Sequence, residues 1–145
     1  MDPGKYKIID LIPQRPPMVM IDSLTYIGEN FARGCLYIKA SNVFCNECYL
    51  HEAGIVEFIA QTAATWKGYM NLSEGREVKT GIIALIKNLS IYSLPAVDTE
   101  IKSEIIIEDE ILDYMIITGR ATQYNSILAE GEIRILTKNQ GINDN

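Results

Sequence analysis

The chain is poor in the features that define several large protein classes. It holds one histidine, one tryptophan and three cysteines in 145 residues. The thiols Cys35, Cys45 and Cys48 are odd in number and too few for a disulfide framework, so free thiols in a reducing compartment are expected. Positive charge is in deficit, with 13 Lys and Arg against 19 Asp and Glu. A net charge of -6 leaves no basic surface to neutralise phosphates, which argues against nucleic acid as a partner. No apolar run approaches the roughly 20 residues that a membrane-spanning helix needs. The opening MDPGKYKIID alternates charges and lacks an apolar core, so neither a secretion signal nor a membrane is expected, and the cytoplasm is the default location. Internal repeats, low-complexity blocks and linkers are also missing.

What remains is an ordinary globular composition, 48% apolar and 22% charged. The length fits one domain over residues 1–145, with an ordered core at about 5–138. A chain of this size buries roughly two-thirds of its unfolded surface, enough for a core without staples.

Residues 5–12 (KYKIIDLI) read as a short amphipathic helix or turn, stopped by QRPP. Strand formers fill Met18–Tyr26, a turn follows at Gly28–Asn30, and Phe31–Lys39 completes a hairpin. His51–Leu72 is the one long helix candidate, with Ala53, Val56, Ile59, Ala60, Ala63, Ala64 and Tyr69 spaced largely by three or four into an apolar stripe. Its alanines let a sheet approach closely, and Asn71, Ser73 and Gly75 supply the stop. Four strands follow at Lys79–Ser90, Glu100–Glu108, Leu112–Ala121 and Ser126–Thr137, with turns at SLPAVD, at DE and at QYN. In the last, Ile127, Ala129, Gly131, Ile133 and Ile135 share one face. Residues 139–145 read as a frayed tail. Helix and strands are segregated rather than alternating, which predicts an α+β fold with an antiparallel sheet.

Three segments in order resemble the 3-hydroxyacyl-carrier-protein dehydratases of the hot-dog superfamily. LIPQRPPMVMIDSL (Leu11–Leu24) is similar to the family's "L-L-P-H-R-x-P-F-L-L-V-D". GIVEFIAQTAA (Gly54–Ala64) is similar to its helix motif "V-E-A-L-A-Q", and GIIALIKNLSIYSLPAVD (Gly81–Asp98) to "G-I-x-x-x-x-F-x-x-P-V-x-P-G-D". Roughly residues 8–136 can be laid along the family, and Asn42-Val43-Phe44 sits where a short-loop branch carries "N-P-F". The resemblance implies a hot-dog fold, a long helix wrapped by an antiparallel sheet of five to six strands. It further implies a dimer, or a hetero-oligomer with another hot-dog subunit, with the acyl tunnel built at the interface. The implied ligand is an acyl thioester on acyl carrier protein or coenzyme A, as in fatty acid biosynthesis. The resemblance implies no cofactor and no metal.

Dehydrating a 3-hydroxyacyl thioester needs a base for the C2 proton and an acid for the departing C3 hydroxyl. It also needs backbone donors for the thioester enolate. The positions that match the family are Glu57 for the acid and Gln61 one turn on, with Gly54 and Gly81 offering amides to the thioester carbonyl. A glutamate in the second turn of a helix is also what a solvated, dipole-favoured residue looks like. Glu57, however, lies beside the apolar stripe, where an unpaired carboxylate is costly. Gln61 reads equally well as a structural amide.

The base departs from the pattern. The family histidine lies fourteen residues before the glutamate, a position occupied by Val43, and the "P-H-R" histidine is Gln14. His51 is the one histidine available, either as a relocated base or as a helix-end residue with a local hydrogen bond. Cys45-x-x-Cys48-x-x-His51 offers three ligands where structural zinc needs four, and the C-x-x-C lacks a βαβ setting, so ordinary loop cysteines are expected. Three functions stay open: a dehydratase, a base-deficient subunit that pairs with an active hot-dog partner, and an acyl-thioesterase on the same scaffold.

Overall fold

A computed structural model describes residues 1–138; the tail expected at 139–145 lies outside the described residues. The elements run α1 (Ile8–Leu11), β1 (Ser23–Ile27), β2 (Phe31–Tyr37), α2 (Glu52–Ser73), β3 (Thr80–Ile91), β4 (Glu100–Ile111), β5 (Tyr114–Gln123) and β6 (Ser126–Lys138). All six strands join one sheet in the order β1-β2-β4-β5-β6-β3, every neighbour antiparallel. The sheet wraps α2, which contacts all six strands. This is the α+β hot-dog architecture.

The expected apolar stripe understates how far α2 is enclosed. Fourteen of its 22 residues are buried, so the sheet covers it on most sides, and of the stripe only Ala53 is exposed. Phe58, Ile55, Ile59 and Ala63 meet Ile101, Ile105, Ile117 and Ile133 from alternate positions of β4, β5 and β6. Two buried hydroxyls in this layer satisfy one another: Thr62 Oγ1 lies 2.6 Å from Ser103 Oγ and 2.9 Å from the Phe58 carbonyl. Trp66 is core, its indole N–H donating to the Gly28 carbonyl at 2.9 Å. At Gly68 the end of α1 crosses so closely that a Cβ would overlap the Leu11 carbonyl.

Two boundaries differ from the sequence expectation, each for a local reason. The first strand begins at Ser23 rather than Met18, because the backbone of residues 18–20 bonds to the side chain of Gln61 instead of a neighbouring strand. Asp22 then closes the strand start, its carboxylate accepting the Tyr37 N–H at 2.6 Å. The β4–β5 turn falls at Leu112 and Asp113 rather than at the preceding Asp-Glu, with Leu112 in the left-handed region (φ 54) and fully exposed. The β5–β6 turn is the expected one, with Tyr124 and Asn125 both at positive φ as a two-residue hairpin demands.

The two sheet edges are unequal. β1 is five residues long, whereas β3 runs twelve; both carry register shifts, β3 between Ile83 and Leu85 and between Lys87 and Ser90, and among the described residues β3 pairs only with β6. Along β3, Ile82, Leu85, Ile86 and Leu89 are each at least a third exposed, as is Tyr92 just beyond its end. A long, apolar, unpaired edge is a feature that folded proteins normally cover.

Candidate functional site

Glu57 and Gln61 are one turn apart on α2, so their side chains stack on one face. Gln61 Nε2 donates to Glu57 Oε1 at 2.9 Å and to the Met18 carbonyl at 2.8 Å. Gln61 Oε1 accepts the Met20 N–H at 2.6 Å. The buried amide thus has both donors and its acceptor engaged within the chain, stapling residues 18–20 to the helix while holding one oxygen of Glu57. Its second oxygen is left for another partner.

Both residues line a small cavity of about 50 Å³ with Gln14, Ala60, Ala64, Gly81, Ile83 and Ile135. Alanines at 60 and 64 open the space beside the helix. Gly81 and Ile83 bring β3, where they pair with Thr137 and Ile135 of β6. A Cβ on Gly81 would stand 3.1 Å from Ile135 Cγ2, so a side chain there would narrow the cavity wall.

The structure brings Glu57, Gln61 and Gly81 together, and places Gly54 and His51 elsewhere. Gly54 is buried in the first turn of α2, where a Cβ would come within 2.6 Å of Leu50 Cδ1 and 2.7 Å of Phe44 Cβ. Its N–H donates to the His51 carbonyl at 3.0 Å. His51 is exposed at the helix mouth, its side chain makes no cap hydrogen bond, and it does not line the Glu57 cavity. His51 is the extended N-cap just outside α2, and positions six apart on the helical period fall on faces roughly 120° apart, so 51 and 57 do not share a face.

Cys45 and Leu50 form an isolated antiparallel bridge, closing a tight loop in which Asn46 Oδ1 accepts the N–H groups of Cys48 and Tyr49, each at 2.7 Å. Burial pushes the Cys45 thiol up, away from the thiolate that metal binding or nucleophilic attack requires. Among the described residues no cluster of three or more His, Cys, Asp or Glu is placed to hold a metal.

Gln14 is the cavity residue that sequence reasoning missed as a site member. Its one signal was position, since it stands where the resembled motif carries a histidine. Its Oε1 is buried and has no hydrogen-bond partner among the described residues.

The Gln61 staple carries a stability expectation. Replacing Gln61 with leucine orphans the buried Met20 N–H, at about 1–3 kcal/mol, and removes the part-buried bond to the carbonyl of the exposed Met18, which water can replace. Chemical denaturation of Gln61→Leu is expected to show a loss of about 1–3 kcal/mol. A loss below about 0.5 kcal/mol would mean that the staple contributes nothing.

Likeness to known proteins agrees with this architecture. Among solved structures the chain is similar to one from the dehydratase heterocomplex ApeI:P of Xenorhabdus doucetiae, with a TM-score of 0.81 at 14% identity over 93% of each chain. Cj0977, a sigma28-regulated virulence protein from Campylobacter jejuni, gives a TM-score of 0.69 at 15% identity, covering 93% of this chain and 98% of that one. A hypothetical thioesterase protein from Streptococcus pneumoniae, solved with coenzyme A, gives 0.62 at 6% identity, covering 81% and 85%. At these identities the likeness is one of fold. No curated protein matches significantly. The model of the ApeP-like family, described as ApeP dehydratase, matches residues 6–143. The chain therefore belongs to the ApeP-like dehydratase family.

Proposed function

We propose that this protein binds 3-hydroxyacyl thioesters, presented by acyl carrier protein or coenzyme A, and takes part in their dehydration to enoyl thioesters. The observation that carries this reading is the Glu57–Gln61 pair facing the cavity between α2 and β3 in a member of a dehydratase family. Glu57, held by Gln61 at one oxygen, is the acid that protonates the departing C3 hydroxyl. Gly81 lets the thioester lie against the β3 wall, and the close packing at Gly54 sets the approach to the helix mouth.

The C2 proton needs a base on the opposite side of the substrate, and His51 diverges from Glu57 within one chain. We place that base across a subunit interface: His51 of a second copy, or a histidine of a different hot-dog subunit. The free β3 edge, with its row of apolar side chains, supports such pairing, and it borders the cavity through Gly81 and Ile83. A cavity of about 50 Å³ is too small for an acyl chain, so the tunnel is completed by the second subunit. A second reading is favoured by the outward position of His51: the chain is a base-deficient subunit that shapes the tunnel of an active partner. The ApeI:P structure is described as a dehydratase heterocomplex, which is in keeping with a hetero-oligomer.

Dehydration and hydrolysis are separated by one experiment. A 3-hydroxyacyl thioester is incubated with the protein while enoyl absorbance and free thiol are followed together. The proposal expects enoyl absorbance without thiol release. Thiol release without enoyl product would make the protein a thioesterase and overturn the proposal.

A further inference from the structure

The polar lining of the cavity has one member that neither the fold nor the proposed proton transfer uses. Gln61 is fully engaged by Met18, Met20 and Glu57, and Glu57 keeps one oxygen for substrate. Gln14 is different: its Oε1 is buried and, among the described residues, unpaired, in a residue that lines the same cavity. The remaining lining is apolar, contributed by Ala60, Ala64, Gly81, Ile83 and Ile135.

Gln14 is also held in place. Arg15 Nη1 donates to the Ile12 carbonyl at 2.9 Å and to the Gln14 carbonyl at 2.8 Å, clamping the backbone around residue 14. The Met18 N–H closes a turn onto the Arg15 carbonyl at 2.9 Å, so the segment is fixed on its far side as well. A buried acceptor on a fixed backbone, with no donor, is destabilising to the free protein. Such a group calls for a functional account.

We infer that Gln14 is the receptor for the C3 hydroxyl of the substrate, an inference that rests on the 3-hydroxyacyl-thioester reading above. An acceptor needs a donor, and the hydroxyl is the one hydrogen-bond donor in a 3-hydroxyacyl group; the thioester carbonyl and the alkyl chain have none. The hydroxyl hydrogen is bound by Gln14 Oε1, which leaves an oxygen lone pair directed at Glu57. When the C3–O bond breaks, its electron pair leaves with oxygen and Glu57 supplies the second hydrogen. The water so formed keeps its original hydrogen on Gln14. Gln14 touches the leaving group but transfers no proton, so its contribution is to recognition of the hydroxylated chain.

The test is calorimetric binding of two unreactive thioether analogues, one with the 3-hydroxyl and one without it, to the full chain and to Gln14→Leu. Leucine removes an unpaired buried oxygen at similar volume, so the variant is expected to be as stable as the parent. Affinity for the hydroxylated analogue is expected to fall about tenfold, the size of one hydrogen bond to a buried group, while the deoxy analogue binds both proteins within about twofold. Equal losses for both analogues, no loss for either, or a clear drop in stability would overturn the inference, because each assigns Gln14 to packing or folding. Gln14→Asn, which keeps the amide but shortens its reach, is expected to show the same selective loss. Failure of the parent protein to bind either analogue would instead overturn the thioester reading, and this inference with it.

Discussion

Glu57→Gln lowers the rate of enoyl formation by about 10²–10⁴-fold in whichever assembly carries activity, with little change in substrate affinity. A glutamine at 57 keeps the shape of the side chain and still accepts the Gln61 N–H, so the staple to Met18 and Met20 persists. What it removes is the transferable proton. The loss therefore falls on kcat, and the thermal midpoint stays within a few degrees of the parent. Stopped-flow or steady-state absorbance of the enoyl product measures the effect. An unchanged rate in a mixed assembly would assign the acid to the partner and leave this chain as the wall of the tunnel.

The second large effect concerns the β3 edge. Leu85→Asp combined with Ile86→Lys is expected to convert the assembly to monomers without unfolding them. Both side chains are more than a third exposed in the single chain, so their replacement disturbs little there. At the proposed strand-to-strand interface the same positions would face apolar neighbours from another subunit, where an unpaired buried charge costs about 3–5 kcal/mol. That corresponds to a dissociation constant raised about 10²–10³-fold or more. Light scattering at several concentrations, with far-ultraviolet circular dichroism as the fold control, gives the answer. Retention of the parent mass would mean that the subunits join elsewhere, and that the cavity beside Gly81 and Ile83 is not completed through β3.

Much of the fold was legible because the governing signals are local. Apolar spacing in His51–Leu72 marks a helix that the structure places at Glu52–Ser73, and the alternation in the last strand holds for Ala129, Ile133 and Ile135 but breaks at its start, where the β5–β6 register shifts and Leu128 is buried instead of Ile127. The misplaced boundaries depend on partners distant in sequence. Residues 18–20 have strand-forming side chains, but the Met18 carbonyl and the Met20 N–H bond to Gln61, 43 and 41 residues away. At the β4–β5 turn, strand pairing continues to Ile111 opposite Tyr114, which pushes the reversal onto a leucine that local preference would put in a strand.

The site was legible only in part, for the same reason. The Glu57–Gln61 pair is a helix-period relation and can be read from spacing. That Gly81 lines the cavity beside Glu57 could be suspected only from the family resemblance, since β3 returns alongside α2 through the sheet. Gln14 carries no periodic signal at all; only the packing of residues 12–18 against the helix shows that its amide oxygen is buried and unpaired. His51 shows the converse. Its chemistry suits a base, and its sequence distance to Glu57 is short, yet the helix turns the two apart.

The account is tested most directly by following water loss from a short 3-hydroxyacyl thioester with the purified protein, alone and mixed with a histidine-bearing hot-dog subunit. It predicts enoyl absorbance in at least one of the two reactions, abolished or sharply reduced by Glu57→Gln when the chain itself is catalytic. Flat traces in both, from protein that is folded and assembled, would contradict it.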